Sequence, residues 1–291
     1  MDMLLTIHFS WLGYLALALL LSGLAFVFAK ISLQGLSAPQ SVLIAGVTML
    51  VLRFTTLDFR GFWHSIVRFS SHQWLLMIIY GVLLAVAWIT FYLGLQMTDC
   101  VAVAPFALMV PVIRLVIVLI IKRSIPDVPR LIMWSVFTLG ILLMGFGREH
   151  KNKIWWLPTV TGPVVYALVL EGTKRYPVGG RDSIIHCGIL MILCIVSCMA
   201  SFLLKHGDLK KVTVYHVLFG VLAAICLHYG PVCASMTTAA PYPSAVKFIY
   251  ALWILVTILG CRLFHKESLT KISWGGLALL VVATACRMFL L

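Results

Sequence analysis

The sequence predicts an all-α fold: a polytopic membrane protein with ten transmembrane helices arranged as two inverted five-helix repeats. Three observations carry this expectation. The chain is 62% hydrophobic and 11% charged over 291 residues, whereas an average soluble domain is about 45–50% apolar and about 25% charged. Its apolar runs are about 20 residues long and do not alternate, which suits spanning helices and not the strands of a barrel. The order of features in the first half also returns in the second, with Met97 falling on Met236, Gly140 on Leu279 and Arg148 on Arg287 at one constant offset.

The elements follow in chain order. The first run, 11–33, has Asp2 ahead of it and no Lys or Arg before Lys30. It lacks the basic region of a cleaved signal, so the first helix is expected to be retained. The second run is 38–54. The segment 55–72 sets Arg60, His64 and Arg68 among Phe59, Phe62, Trp63 and Phe69, a pattern expected to lie along the membrane surface. Runs three and four are 73–95 and 98–121, and Pro105 and Pro111 loosen the fourth. The fifth, 129–147, ends at the charged segment 148–153, which joins the two units 1–150 and 151–291. The sixth, 154–172, is interrupted by Pro158 and Pro163. The seventh is 183–204. The eighth, 214–235, contains Gly230-Pro231, where a kink is expected. The ninth, 240–262, begins among Pro241 and Pro243, and the tenth is 271–290. Because five is odd, two five-helix units must face opposite ways across the bilayer.

The formal net charge is +13. Lys and Arg sit in short loops between apolar runs, so membrane topology accounts for them and a nucleic-acid partner is not expected. Loops after spans two and four carry Arg53, Arg60, Arg68, Lys122, Arg123 and Arg130, whereas those after spans one and three carry none. This places the N-terminus, and with ten spans the C-terminus, in the cytoplasm. The second half is basic after spans seven and nine (Lys205, Lys210, Lys211; Arg262, Lys266, Lys271), on the outer side under ten spans. Either the first helices set the orientation and override this later bias, or the span count is off by one around span six; ten spans are the expectation. The eight cysteines form no CxxC pair and lie mostly inside apolar runs, so neither a disulfide framework nor a metal site is expected. The only Asn, Asn152, is not in a glycosylation sequon. With no targeting signal evident, a bacterial inner membrane is the expected location.

The whole chain resembles the EamA-like ten-helix type of the drug/metabolite transporter superfamily. The stretch from Leu20 to Lys30, with Gly23 and Phe26 ahead of Lys30, resembles the family's opening helix. The run from Ala104 to Pro111 resembles its fourth helix, with a small-residue start and a central proline. Cys261 to Thr270, followed by Trp274-Gly-Gly-Leu-Ala278, resembles the end of helix nine and the Gly-rich tenth helix. Helix nine departs from the family's usual Glu-Pro pair, reading Tyr242-Pro-Ser-Ala-Val-Lys247. The resemblance implies transport of a small polar metabolite by alternating access, as facilitator or exchanger. It implies a cavity lined by helices one to four and six to nine. Partners would be that substrate and membrane lipids, with the protein a monomer or homodimer.

Ionisable groups at membrane depth are costly and tend to be paired or functional. Arg114, Lys247 and Glu171 all fall in the cytoplasmic half under the ten-span topology. Either Arg114 and Lys247 hold an anionic group of the substrate, with Glu171 as partner or gate, or each snorkels to the headgroups. Trp88, Tyr92 and Gln96 stand at successive i, i+4 positions on one face of span three. They make either an aromatic wall with a polar end or interfacial packing. His228 and Tyr229, beside Gly230-Pro231, are further candidates, as are Tyr14, Ser22 and Lys30 on span one and Tyr166 on span six. No P-loop, triad, paired-acid or metal-ligand arrangement is present in the sequence. An enzyme, ATP-driven transport and a resident cofactor are therefore not expected. Amino acids or other zwitterions, exported or imported, are the alternative cargo, and they make Glu171 essential.

Overall fold

The computed structural model describes residues 11–55, 69–122, 127–147, 152–176, 182–204, 212–239 and 249–289, and among these it is all helical, without strands. The helices are α1 (Trp11–Ser32), α2 (Ala38–Phe54), α3 (Ser71–Met97), a composite α4, α5 (Val128–Phe146), α6 (Trp156–Arg175), α7 (Asp182–Leu203), α8 (Val214–Ser235), α9 (Trp253–His265) and α10 (Lys271–Phe289). A described helix thus lies in each of the ten apolar stretches. The charged junction 148–151, most of the segment 55–72, and the start of the ninth run with Pro241, Pro243 and Lys247 lie outside the described residues.

Local chemistry sets the ends. Ser37 and Ser70 open α2 and α3 with capping boxes: the backbone N–H of each donates to the side chain of Gln40 or Gln73, at 2.9 Å in both cases. α4 runs as α-helix over Cys100–Val103, tightens to a 3-10 turn over Ala104–Leu108, and resumes as α-helix over Met109–Lys122. Pro105 sits in the tightened turn; a proline has no N–H to give and its ring crowds the carbonyl four residues back. α6 and α8 continue as helix through Pro163 and Pro231, and α8 then tightens into a 3-10 turn at Met236–Ala239. α9 stops where Lys266 takes a left-handed backbone, with φ of 56°.

Five of the described helices are long and apolar enough to cross a membrane: Trp11–Ser32, Ser71–Met97, Cys100–Ile121, Ile184–Leu203 and Val214–Ser235. Shorter apolar helices are Ala38–Phe54, Leu131–Phe146, Trp253–His265 and Lys271–Cys286. α6, with its prolines and threonines, is the least apolar. Large apolar side chains also cover the outside. Ile120, Phe202, Leu203, Val214 and Leu263 are all more than 70% exposed. A water-facing surface of that kind is rare on a soluble monomer, and lipid satisfies it.

The helices meet in definite pairs and directions. α1 runs antiparallel to α8, with Ser22 against Gly230 and Phe28 against Phe219. α3 runs antiparallel to α6, with Phe91 against Gly162 and the Tyr80 hydroxyl donating to the Tyr176 carbonyl at 3.0 Å. α9 lies parallel to α1, where Thr257 donates to the Gly23 carbonyl at 3.0 Å and Gly260 meets Val27. α4 lies parallel to α6, from Phe106 and Trp155 at one end to Arg114 and Glu171 at the other. α3 is parallel to α7 (Met77 by Gly188, Gly81 by Ile192), and α2 to α8 (Ile44 by Gly220, Met49 in one cluster with Ala224). α2 and α7 cross antiparallel, as do α5 and α10. Exchanging the first five helices for the last five turns six of these pairs into one another, with direction kept, and returns α2–α7 and α5–α10 to themselves.

Candidate functional site

A cavity of about 320 Å³ lies where the halves meet. α1 contributes Ser22 and Phe26, α3 contributes Trp88, Phe91 and Tyr92, and α6 contributes Pro163 and Tyr166. Ala107 and Val110 close it from α4, Leu227 and Pro231 from α8, and Tyr250 and Trp253 from the start of α9. Helical spacing explains the repeated contributions, since Ser22 and Phe26, and Trp88 and Tyr92, are each one turn apart on the same face. The composite course of α4 delivers Ala107 from the 3-10 turn and Val110 from the helix after it.

The rings hold one another. Phe26 stacks on Trp253, with centroids 4.7 Å apart and planes 11° from parallel, and meets Phe91 edge-on at 5.8 Å. That stack joins α1 to α9 and so crosses between the halves. The polar side chains among the lining residues are the hydroxyl residues Ser22, Tyr92, Tyr166 and Tyr250 and the indoles of Trp88 and Trp253. Ser22 Oγ and the Tyr250 hydroxyl share a hydrogen bond of 2.5 Å. The Tyr92 hydroxyl is buried and has no hydrogen-bond partner among the described residues. Among the described residues, no lining residue carries a charge.

Charges stand instead at the two ends. Arg114, one turn past Val110 on α4, approaches Glu171 at 3.6 Å, and Arg175 approaches the same carboxylate at 3.7 Å. Arg114 Nε is buried without a partner. At the opposite end, one residue past Ala29, Lys30 donates to the Leu95 and Thr98 carbonyls at 2.5 and 2.6 Å, so its ammonium sits on the C-terminus of α3. Glu267, 7% exposed, accepts the N–H groups of Cys100 and Val101 at the start of α4.

The residues expected from sequence divide as follows. Trp88, Tyr92 and Tyr166 line the cavity, with Ser22. Arg114 and Glu171 are brought together, but beyond its wall. Gln96 is exposed one turn past Tyr92. His228 and Tyr229 stand edge-to-face at 5.0 Å, Tyr229 is 40% exposed, and neither is on the wall, although their neighbours Leu227 and Pro231 are. Tyr14 is half-buried on α1 and away from the cavity. Lys247 lies outside the described residues. Sequence reasoning did not single out Phe26, Phe91, Tyr250 or Trp253. Among the described residues, no group of three or more His, Cys, Asp or Glu is placed to hold a metal. No protein-family model matches the chain, and no curated protein matches it.

Proposed function

We propose that this protein is a secondary transporter of the EamA-like drug/metabolite type. It moves a small polar metabolite through the aromatic cavity by alternating access, as a facilitator or exchanger. The observation that carries the reading is the cavity's position, with walls from α1, α3 and α4 of the first half and α6, α8 and α9 of the second. Rocking one half against the other would open such a site to each side in turn.

The pairing of helices supports the accompanying topology. Following the contacts from α1 to α8, α2, α7, α3 and α6 reverses direction three times, so α1 and its counterpart α6 run oppositely. Two inverted five-helix repeats crossing ten times would require that opposition. The basic loops of the first half then put both termini in the cytoplasm.

Reconstitution tests the reading. A metabolite that raises the thermal stability of the purified protein should cross proteoliposome membranes saturably, without ATP, and faster with substrate on the far side. Trp88→Ala should abolish that flux. A metabolite that binds but never crosses contradicts the proposal.

A second reading, transport of amino acids or related zwitterions, draws on Arg114 and Glu171, which would offer both signs just beyond the cavity floor. Normal zwitterion transport by Glu171→Gln removes that reading. The anionic-substrate form asks Arg114 to leave Glu171 for the ligand; its test is Arg114→Gln, which would have to lose flux.

A further inference from the structure

We infer that the end of the bundle where α4 and α6 finish carries a binding site for a singly charged oxyanion, a phosphodiester or a carboxylate, held between the guanidinium groups of Arg114 and Arg175. The site goes beyond the transport reading and does not depend on it.

Two cations share one carboxylate there. Arg114 lies 3.6 Å from one oxygen of Glu171, and Arg175 lies 3.7 Å from the other. Glu171 is the ion-pair partner of both arginines, so one positive charge is left over. Both separations exceed the roughly 2.7–3.2 Å of a hydrogen bond from N–H to oxygen. The attraction is therefore ionic, and the guanidinium N–H groups are not spent on the carboxylate. Exposure points the same way. The Arg114 and Arg175 side chains are 28% and 33% exposed, and that of Glu171 is 12% exposed. The cluster offers its donors to an incoming group more openly than its acceptor.

Snorkelling does not account for Arg114. An arginine that runs its stem to the headgroups needs no protein partner. Arg114 instead reaches across to α6, with its Nε buried, roughly 12 Å of helix short of Lys122 at the end of α4. A surplus charge at membrane depth is costly, and a bound anion offsets it.

The site is built before any ligand arrives. Glu171 and Arg175 are one turn apart on the same face of α6. That last turn is held to α3 by the Tyr80 hydroxyl, which donates to the Tyr176 carbonyl at 3.0 Å, and by Gly172, where a Cβ would stand 3.1 Å from the Tyr80 ring. Lys174 and Arg175 offset the negative dipole end of α6. Guanidinium forks match the paired oxygens of phosphate and carboxylate groups. With Glu171 in place, one negative charge neutralises the cluster and a second would be in excess. That favours a singly charged group over a phosphate monoester. Such a group comes either on a soluble metabolite or on an anionic lipid headgroup.

Thermal unfolding of the full chain in a neutral maltoside detergent, at constant ionic strength, tests the site. Dimethyl phosphate and acetate are the soluble probes, with uncharged trimethyl phosphate and sodium chloride as controls. Phosphatidylglycerol, compared with phosphatidylcholine, is the lipid probe. At least one anionic probe should raise the melting temperature with dose where the controls do not. A response to a soluble anion assigns a metabolite group, and a response to phosphatidylglycerol alone assigns a headgroup. Arg114→Gln and Arg175→Gln should each weaken that binding at least about tenfold, as expected for a lost charge-assisted hydrogen bond. Glu171→Gln should tighten it severalfold by removing the competing carboxylate, an effect that a purely structural ion pair would not give. No response beyond the controls in either arm, an unchanged affinity in either arginine variant, or weaker binding in Glu171→Gln overturns the site. Flux keeps the two claims apart. Anion binding without transport of any compound contradicts the transport reading alone, and transport without anion binding contradicts this inference alone.

Discussion

Glu267, between α9 and α10, accepts the backbone N–H of Val101 at 3.0 Å with one carboxylate oxygen, and that of Cys100 at 3.1 Å with the other. The contact spans 166 residues and ties the second half of the chain to the start of α4 in the first. The first N–H groups of a helix have no partner within it and carry its positive dipole end, so a buried carboxylate there satisfies both. Glu267→Ala should lower stability by about 1–3 kcal/mol, since two buried donors lose their acceptor. Glu267→Gln, which keeps one acceptor and loses the charge, should fall between Ala and wild type. Thermal unfolding of the three proteins in one detergent checks the order; equal stability of all three would remove the anchoring role.

Two adjacent glycines on α10 predict opposite outcomes. A Cβ on Gly276 would stand 2.6 Å from the Gly140 carbonyl oxygen and 2.8 Å from the Met144 nitrogen, where α5 and α10 cross backbone to backbone. A Cβ on Gly275 would meet nothing within 4 Å. Gly276→Ala must part the helices and should cost about 1–3 kcal/mol. Gly275→Ala should stabilise by up to about 1 kcal/mol through helix propensity. Unfolding midpoints of the two variants decide the matter.

How much of this was legible in sequence follows from the range of the interactions. Apolar runs of spanning length mark helices locally, and described helices lie in those stretches. Trp88 and Tyr92 could be placed on one face because they are a turn apart. Gln96 does not stay with them, since each i, i+4 step turns the row by about 40° and the third member has rotated away at the helix end. Phe26 and Trp253 were missed because an apolar run does not say whether a ring faces lipid or a cavity. The charged residues were the hardest. Glu171 was expected as partner or gate to Arg114 and Lys247 around a substrate; the fold puts Arg114 and Glu171 beside each other, but off the cavity wall. Glu267 read only as part of a motif, since its partners are in another half of the chain.

Loop charge and helix pairing disagree about the second half, and labelling resolves them. Gln34 and His265, after α1 and at the end of α9, approach each other at 3.4 Å, so those loops share one end of the bundle. Ser71, at the start of α3, is at the opposite end. In a background without reactive cysteines, a membrane-impermeant maleimide added to intact cells should label Gln34→Cys and Lys271→Cys and spare Ser71→Cys. Labelling of Gln34→Cys without Lys271→Cys would break the ten-span topology.

Central to the account is that the cavity between the halves is a path across the membrane. Counterflow tests it most directly: proteoliposomes are loaded with an unlabelled metabolite that stabilises the protein, then given a trace of the labelled compound outside. The account predicts a transient inward accumulation above equilibrium, without ATP, that is lost in Trp88→Ala. Tight binding of the labelled compound with no accumulation in the wild-type protein would contradict it.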